Sequence, residues 1–178
     1  ACALPISPTV SKIAGIIINA DTDSLILIER NKIYNLGGPS TIAQTAKSSV
    51  VSASFVGILL QEGYQATLRN NFIALNENTT GTLRGIEDGS VGPTAARIYH
   101  NSISLGGTSS SNSSDYCFYQ SRADAGDVLD TIRNNIFFSA RIGTTNNKYS
   151  IGIEAGKTTI AVSNYNDLAG GGNNYFVG

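Results

Sequence analysis

One phrase of apolar and polar positions recurs along the chain: an apolar residue, two polar positions, an asparagine, an open position and a second apolar residue. Four copies are clear: Ile28-Glu29-Arg30-Asn31-Lys32-Ile33, Leu68-Arg69-Asn70-Asn71-Phe72-Ile73, Ile98-Tyr99-His100-Asn101-Ser102-Ile103 and Ile132-Arg133-Asn134-Asn135-Ile136-Phe137. A fifth, Val162-Ser163-Asn164-Tyr165-Asn166-Asp167-Leu168, fits with a one-residue slip. Upstream of each copy stands an apolar partner: Gly15 to Ile18, Val56 to Leu60, Leu83 to Ile86, Tyr116 to Tyr119 and Ser150 to Ile153. Short runs rich in Ile, Val, Phe and Tyr, bounded by Gly, Asn and Ser, predict strands and argue against helices.

Each unit therefore reads strand, tight turn, strand, asparagine bend, short strand, then a loop of variable length. The later four units carry a turn glycine after the first strand, at Gly63, Gly89, Gly126 and Gly156, and the first unit has Ala20-Asp21-Thr22-Asp23 in its place. Asn31, Asn71, Asn101, Asn135 and Asn166 follow one another at steps of 40, 30, 34 and 31 residues. Self-similarity at that period predicts an all-β protein built of stacked coils, with length variation falling in loops such as Gly37 to Ser54 and Gly106 to Asp115.

The recurring asparagine has a physical reason. A bend between two strands needs a residue that tolerates a left-handed or bridge conformation, and Asn does so more cheaply than other residues with a Cβ. Stacked coils also place each Asn amide about 4.8 Å from the next, where amide can donate to amide oxygen. Asn31, Asn71, Asn101, Asn135 and Asn166 are thus the expected structural ladder, with Asn70 and Asn134 beside it facing solvent.

Charged residues make up 14% of the chain and the formal net charge is −1, which excludes a basic nucleic-acid-binding surface. The 178 residues, 41% of them hydrophobic, suit one domain with a core. Met is absent, and Ala1-Cys2-Ala3 resembles the small-residue side of a signal cleavage site, so a processed, secreted or cell-surface protein is expected. No apolar run approaches the roughly 20 residues of a membrane helix, so no membrane insertion is expected. Cys2 and Cys117 have three open fates: a disulfide within the chain, a disulfide between chains, or free buried thiols.

The stretches Ile98 to Gly107, Ile132 to Phe137 and Asn164 to Leu168 resemble right-handed parallel β-helix repeats of the pectate-lyase-like kind. They look most like the repeats of secreted surface and adhesin-like proteins of Bacteroidetes. The resemblance implies a right-handed parallel β-helix of about five coils over residues 15–178, preceded by an irregular segment or cap at 1–14. The same coil serves lyases, epimerases, adhesins and fibres, so function rests on particular side chains.

Polysaccharide-cleaving β-helices place carboxylates or calcium ligands on one solvent-facing sheet. Glu62, Glu87, Asp88 and Glu154, each near a turn glycine, are the candidates here, with Glu62 and Asp88 as the catalytic pair if the chain is an enzyme. On adjacent strands Glu62 and Asp88, with Glu87, would be able to share a Ca²⁺. The plainer reading is that all are solvated turn carboxylates, as for Asp124, Asp127 and Asp130. His100, the sole histidine, lacks a nameable partner for general-base work and reads as an exposed bend residue. Tyr99, Tyr116 and Tyr119 are candidate sugar-stacking rings. Asn78-Thr79-Thr80 and Asn112-Ser113-Ser114 match N-glycosylation sequons, and Asp23-Ser24-Leu25 and Asp130-Thr131-Ile132 resemble Bacteroidetes O-glycosylation sites.

A short stack of coils leaves uncovered sheet edges, which are templates for pairing. The leading expectation is a non-enzymatic structural or adhesive module that binds copies of itself head to tail or sits in a longer surface fibre, with no cofactor. Cys2 near one end would then be able to link subunits through Cys117. The alternative is a polysaccharide-binding or polysaccharide-cleaving β-helix dependent on Ca²⁺, with surface carbohydrate as partner.

Overall fold

The computed structural model describes residues 12–19, 25–36, 54–62, 65–91, 95–109, 112–121, 130–143, 145, 147–154, 160–171 and 174–177. Each repeat unit contributes three strands. The first coil holds β1 (Lys12–Ile18), β2 (Ile26–Glu29) and β3 (Lys32–Tyr34), and the second β4 (Ser54–Glu62), β5 (Ala66–Arg69) and β6 (Phe72–Leu75). The third holds β7 (Leu83–Val91), β8 (Ala96–Tyr99) and β9 (Ser102–Leu105), and the fourth β10 (Asp115–Gln120), β11 (Asp130–Arg133) and β12 (Ile136–Ser139). The fifth holds β13 (Lys148–Ile153), β14 (Ile160–Asn164) and β15 (Asp167–Gly170), after which β16 (Tyr175–Phe176) opens another turn.

Every third strand pairs in parallel. The first sheet runs β1-β4-β7-β10-β13-β16, the second β2-β5-β8-β11-β14 and the third β3-β6-β9-β12-β15. The chain is a right-handed parallel β-helix of about five coils. Its first strand begins at Lys12, three residues before the expected boundary at Gly15.

Alternation along each strand turns one set of side chains inward. Stacking then lays like on like: Ile28, Leu68, Ile98 and Ile132 form one inner row, and Ile33, Ile73, Ile103 and Phe137 another, all buried. The first sheet departs from strict alternation at one stacked position. Gly57 and Gly85 turn inward there, where a Cβ on Gly85 would lie 2.4 Å from Ile103 Cγ2 and 2.5 Å from Cys117 O. The missing side chains let the third sheet's isoleucines reach across the core.

Two expectations about turns need correction. Gly89 lies inside β7 and turns nothing, while Gly63, Gly126 and Gly156 fall outside the described residues. The left-handed residue at each bend is the one before the stacked asparagine: Arg30, Asn70, His100, Asn134 and Tyr165 have φ between 55° and 59°. Asn70 and Asn134 are solvent-facing, yet they carry the bend. The fifth repeat's slip is taken up by a register shift, with Asp130 opposite Ile160 but Thr131 opposite Val162.

Candidate functional site

Two places hold polar chemistry beyond ordinary surface: the bend between the second and third sheets, and the outer face of the first sheet with the loops leading into it. At the bend, Asn31 Nδ2 donates to Asn71 Oδ1 at 3.0 Å, Asn71 to Asn101 at 2.9 Å, Asn101 to Asn135 at 3.1 Å and Asn135 to Asn166 at 2.9 Å. Each accepting oxygen also takes the backbone N–H of the donating residue. The second amide hydrogen goes to a carbonyl of the preceding coil, as Asn101 Nδ2 to Leu68 O at 2.9 Å. An inner asparagine such as Asn101 thus has four bonds and no capacity left for a ligand.

Carboxylates on the first sheet do not gather as the spacing suggested. Asp88 lies opposite Leu60 and is buried, whereas Glu62 lies opposite Val91, because the register shifts between Leu60 and Glu62. The two candidates for a shared Ca²⁺ are therefore not cross-strand partners. Glu87 alternates to the outer face, opposite Leu59 and Tyr119, and Glu154 is exposed just after β13. Among the described residues no group of three His, Cys, Asp or Glu side chains is placed to hold a metal ion.

Glu87 is nonetheless the centre of a cluster. Its Oε1 accepts from Lys12 Nζ at 2.7 Å, Arg84 Nη1 at 2.5 Å and Ser121 Oγ at 3.0 Å, so it joins three coils. Burial alone would raise its pKa, but the hydrogen bonds and charges of Lys12 and Arg84 hold the carboxyl below its usual value. A carboxylate held ionised in this way makes a poor proton donor. Its other oxygen, Oε2, is buried without a partner.

Beside it runs an aromatic row. The Arg84 guanidinium stands 4.3 Å above the Tyr119 ring, Tyr116 lies 4.4 Å from Tyr119, and Tyr116, Tyr149 and Phe176 stack at 5.1 and 5.3 Å. Gly152 makes room, since a Cβ there would lie 2.2 Å from Tyr116 Cδ1. Tyr99 belongs to the second sheet, between Arg69 and Arg133, so only two of the three candidate tyrosines meet. The stacked rings turn their faces to one another along the helix axis, leaving mainly edges for a sugar.

The loops entering the first sheet bury a second cluster that composition and spacing did not reveal. Arg141 is fully buried and pairs with buried Asp115 at 2.7 Å. Its guanidinium also donates to Thr79 O at 2.5 Å, Gly81 O at 3.0 Å and Thr108 O at 3.1 Å, clamping the loops before β7 and β10 to its own. Asp115 Oδ1 accepts the Leu83 N–H at 2.7 Å. Lys148, opposite Asp115 in the next strand, is buried as well, and burial lowers its pKa although the Asp115 charge opposes the shift. Strand phase was the available signal, since Asp115 and Lys148 share the inward phase of Cys117 and Ser150.

The remaining candidates disperse. Asp130 is buried, accepting from Ala96 N at 2.9 Å and Gln120 Nε2 at 3.0 Å; Asp124 and Asp127 lie outside the described residues. His100 is exposed on its bend. Cys117 is a free thiol buried in the core, and burial pushes its pKa up; Cys2 lies outside the described residues, as do Asp23 and Ser24. Both sequon asparagines are exposed, with Asn78 Oδ1 accepting from Thr108 and Asn112 Oδ1 from Thr145. No protein-family model, curated protein or solved structure matches the chain.

Proposed function

We propose that this chain is a non-enzymatic, extracellular structural or adhesive β-solenoid module that stacks end to end with copies of itself or within a longer surface fibre. The observation that carries this reading is how its polar groups are used. The stacked asparagines form an asparagine ladder that holds coils together, Arg141 and Asp115 tie loops together, and Glu87 is held ionised by Lys12 and Arg84. Among the described residues, at one end of the stack, Asn31 Oδ1 has no donor and β1, β2 and β3 are edge strands. A further coil above them would supply both. Negative-stain images and light scattering of the purified chain test this: short rods lengthening with concentration are expected, and particles of one coil stack at every concentration overturn it.

Polysaccharide binding is the second reading, favoured by the Arg84, Glu87 and Tyr119 cluster beside an aromatic row on one sheet face. Its test is a screen against acidic and neutral polysaccharides with and without Ca²⁺, read by retention and by release of unsaturated ends. Retention lost in Glu87→Gln, or turnover lost in Glu62→Gln or Asp88→Asn, would put this reading first.

A further inference from the structure

The outer face of the third sheet carries two rows of side chains set by its register. Lys32, Phe72, Ser102, Ile136 and Asp167 form the first, and Tyr34, Ala74, Ser104, Phe138 and Ala169 the second. Four large apolar side chains there stay open to solvent: Tyr34 at 59%, Phe72 at 47%, Ile136 at 52% and Phe138 at 42% exposure. They fall in two groups, Tyr34 with Phe72 and Ile136 with Phe138, on either side of Ser102 and Ser104, and large apolar side chains gathered on one sheet face mark a contact with something else.

The order within the rows says what that something is. Row one reads cation, apolar, small, apolar, anion, and row two large, small, small, large, small. Both are complementary to their own reverse. A two-fold axis lying in the plane of the face, parallel to the strands and through the third coil, keeps strand direction and reverses the order of coils. Lys32 then faces Asp167 of the second copy, Phe72 faces Ile136, and Ser102 faces its own equivalent. In the second row Tyr34 covers Ala169, Phe138 covers Ala74, and Ser104 meets Ser104.

The adjoining bend row follows the same rule. Arg30 comes beside Tyr165, the most exposed of the large apolar side chains among the described residues at 81%, in position for a cation–π contact, and Asn70 comes beside Asn134. Among the described residues neither Lys32 nor Asp167 makes an ion pair within its own chain. The other two-fold in this plane, which keeps coil order, sets Lys32 on Tyr34 and Asp167 on Ala169 and leaves both charges unmatched.

We propose that the outer face of the third sheet is the contact of an antiparallel, side-by-side dimer of this chain. The contact does not rest on end-to-end stacking: it closes at two copies, whereas stacking continues. Sedimentation equilibrium with charge-swapped variants tests it. Lys32→Asp and Asp167→Lys should each weaken dimerisation about tenfold, because the two-fold makes every substitution count twice. The double variant K32D/D167K should recover the original affinity to within a few-fold.

Ser102 sits on the axis, so Ser102→Cys in a Cys2→Ala background should give a covalent dimer with a short bismaleimide, and Leu25→Cys should not. Phe138→Asp should leave a folded monomer in the absence of end-to-end growth. A chain that is monomeric at all concentrations, or a dimer indifferent to both charge reversals, overturns the proposal. So does a strictly monomeric protein that adsorbs to insoluble polysaccharide and loses adsorption on Phe138→Asp. Absence of rod growth with the closed dimer intact would count against end-to-end stacking alone.

Discussion

The two corners of the coil hold it together by opposite means. Where the second sheet turns into the third, the same neutral side chain recurs in every coil and bonds to its own kind. Where the third sheet leads back to the first, one buried arginine serves several loops at once. The repeated corner distributes its bonds, so each loss stays within neighbouring coils. The other concentrates buried charge on Arg141 and Asp115, and removing either partner leaves a charge in the interior.

The difference is broken most severely at Arg141. Arg141→Met should destabilise the fold by about 3–5 kcal/mol, the usual cost of removing one partner of a buried ion pair. Chemical denaturation followed by far-UV circular dichroism would measure it. Arg141→Lys should recover only part, because an ammonium cannot fork to the Thr79, Gly81 and Thr108 carbonyls at once. A loss below about 1 kcal/mol for Arg141→Met would mean that the loops hold without the clamp.

At the repeated corner the effect should depend on position. Asn101→Ala removes four hydrogen bonds and strands buried donors on Asn71, so a loss of about 2–3 kcal/mol is expected. Asn31→Ala, at the end of the row and part-buried, should cost about 1 kcal/mol. Equal losses at the two positions would show that the coils do not share their stability along the row.

How much of this was legible follows from the same contrast. Much of what recurs in every coil was visible, namely the strand order and the inner apolar rows, but the left-handed bend residue recurs as well and lies one position before the expected asparagine. Arg141 occurs once, and its partners lie up to 64 residues away in sequence, so no period announced it. Register within the first sheet was hidden as well. Asp88 faces Leu60, two residues before Glu62, and one extra residue in β7 after Asp88 sets Glu62 still further along, opposite Val91. The face of the third sheet was readable in its alternation, but its relation to its own reverse appears only once the five strands are aligned.

Lys148 gives the charged corner a pH signature that the neutral one lacks. Burial lowers its pKa in the folded chain, so over the alkaline range between that lowered value and the ordinary lysine value the unfolded chain binds more protons. Lys148's contribution to stability should therefore rise with pH through that window and level off above the unfolded pKa, against the opposite slope that the raised pKa of buried Cys117 gives in the alkaline range. Stability followed by denaturation at successive pH values should fall more steeply through the window in Lys148→Met than in the parent chain, and an unchanged slope would overturn the assignment to Lys148.

The smallest expected effect separates the two residues that share each bend. The left-handed conformation belongs to Arg30, Asn70, His100, Asn134 and Tyr165, and only two of these are asparagine. Left-handed backbone costs a residue with a Cβ roughly 1–2 kcal/mol, and Asn less than most. His100 has its side chain in solvent, so His100→Asn loses no buried contact and should gain a few tenths to about 1 kcal/mol. The same change one position later is impossible, since residue 101 already is asparagine; there Asn101→Gly, which frees the backbone but removes the amide, should destabilise. Opposite signs at two adjacent residues would show that the bend asks for conformation at one and hydrogen bonding at the next.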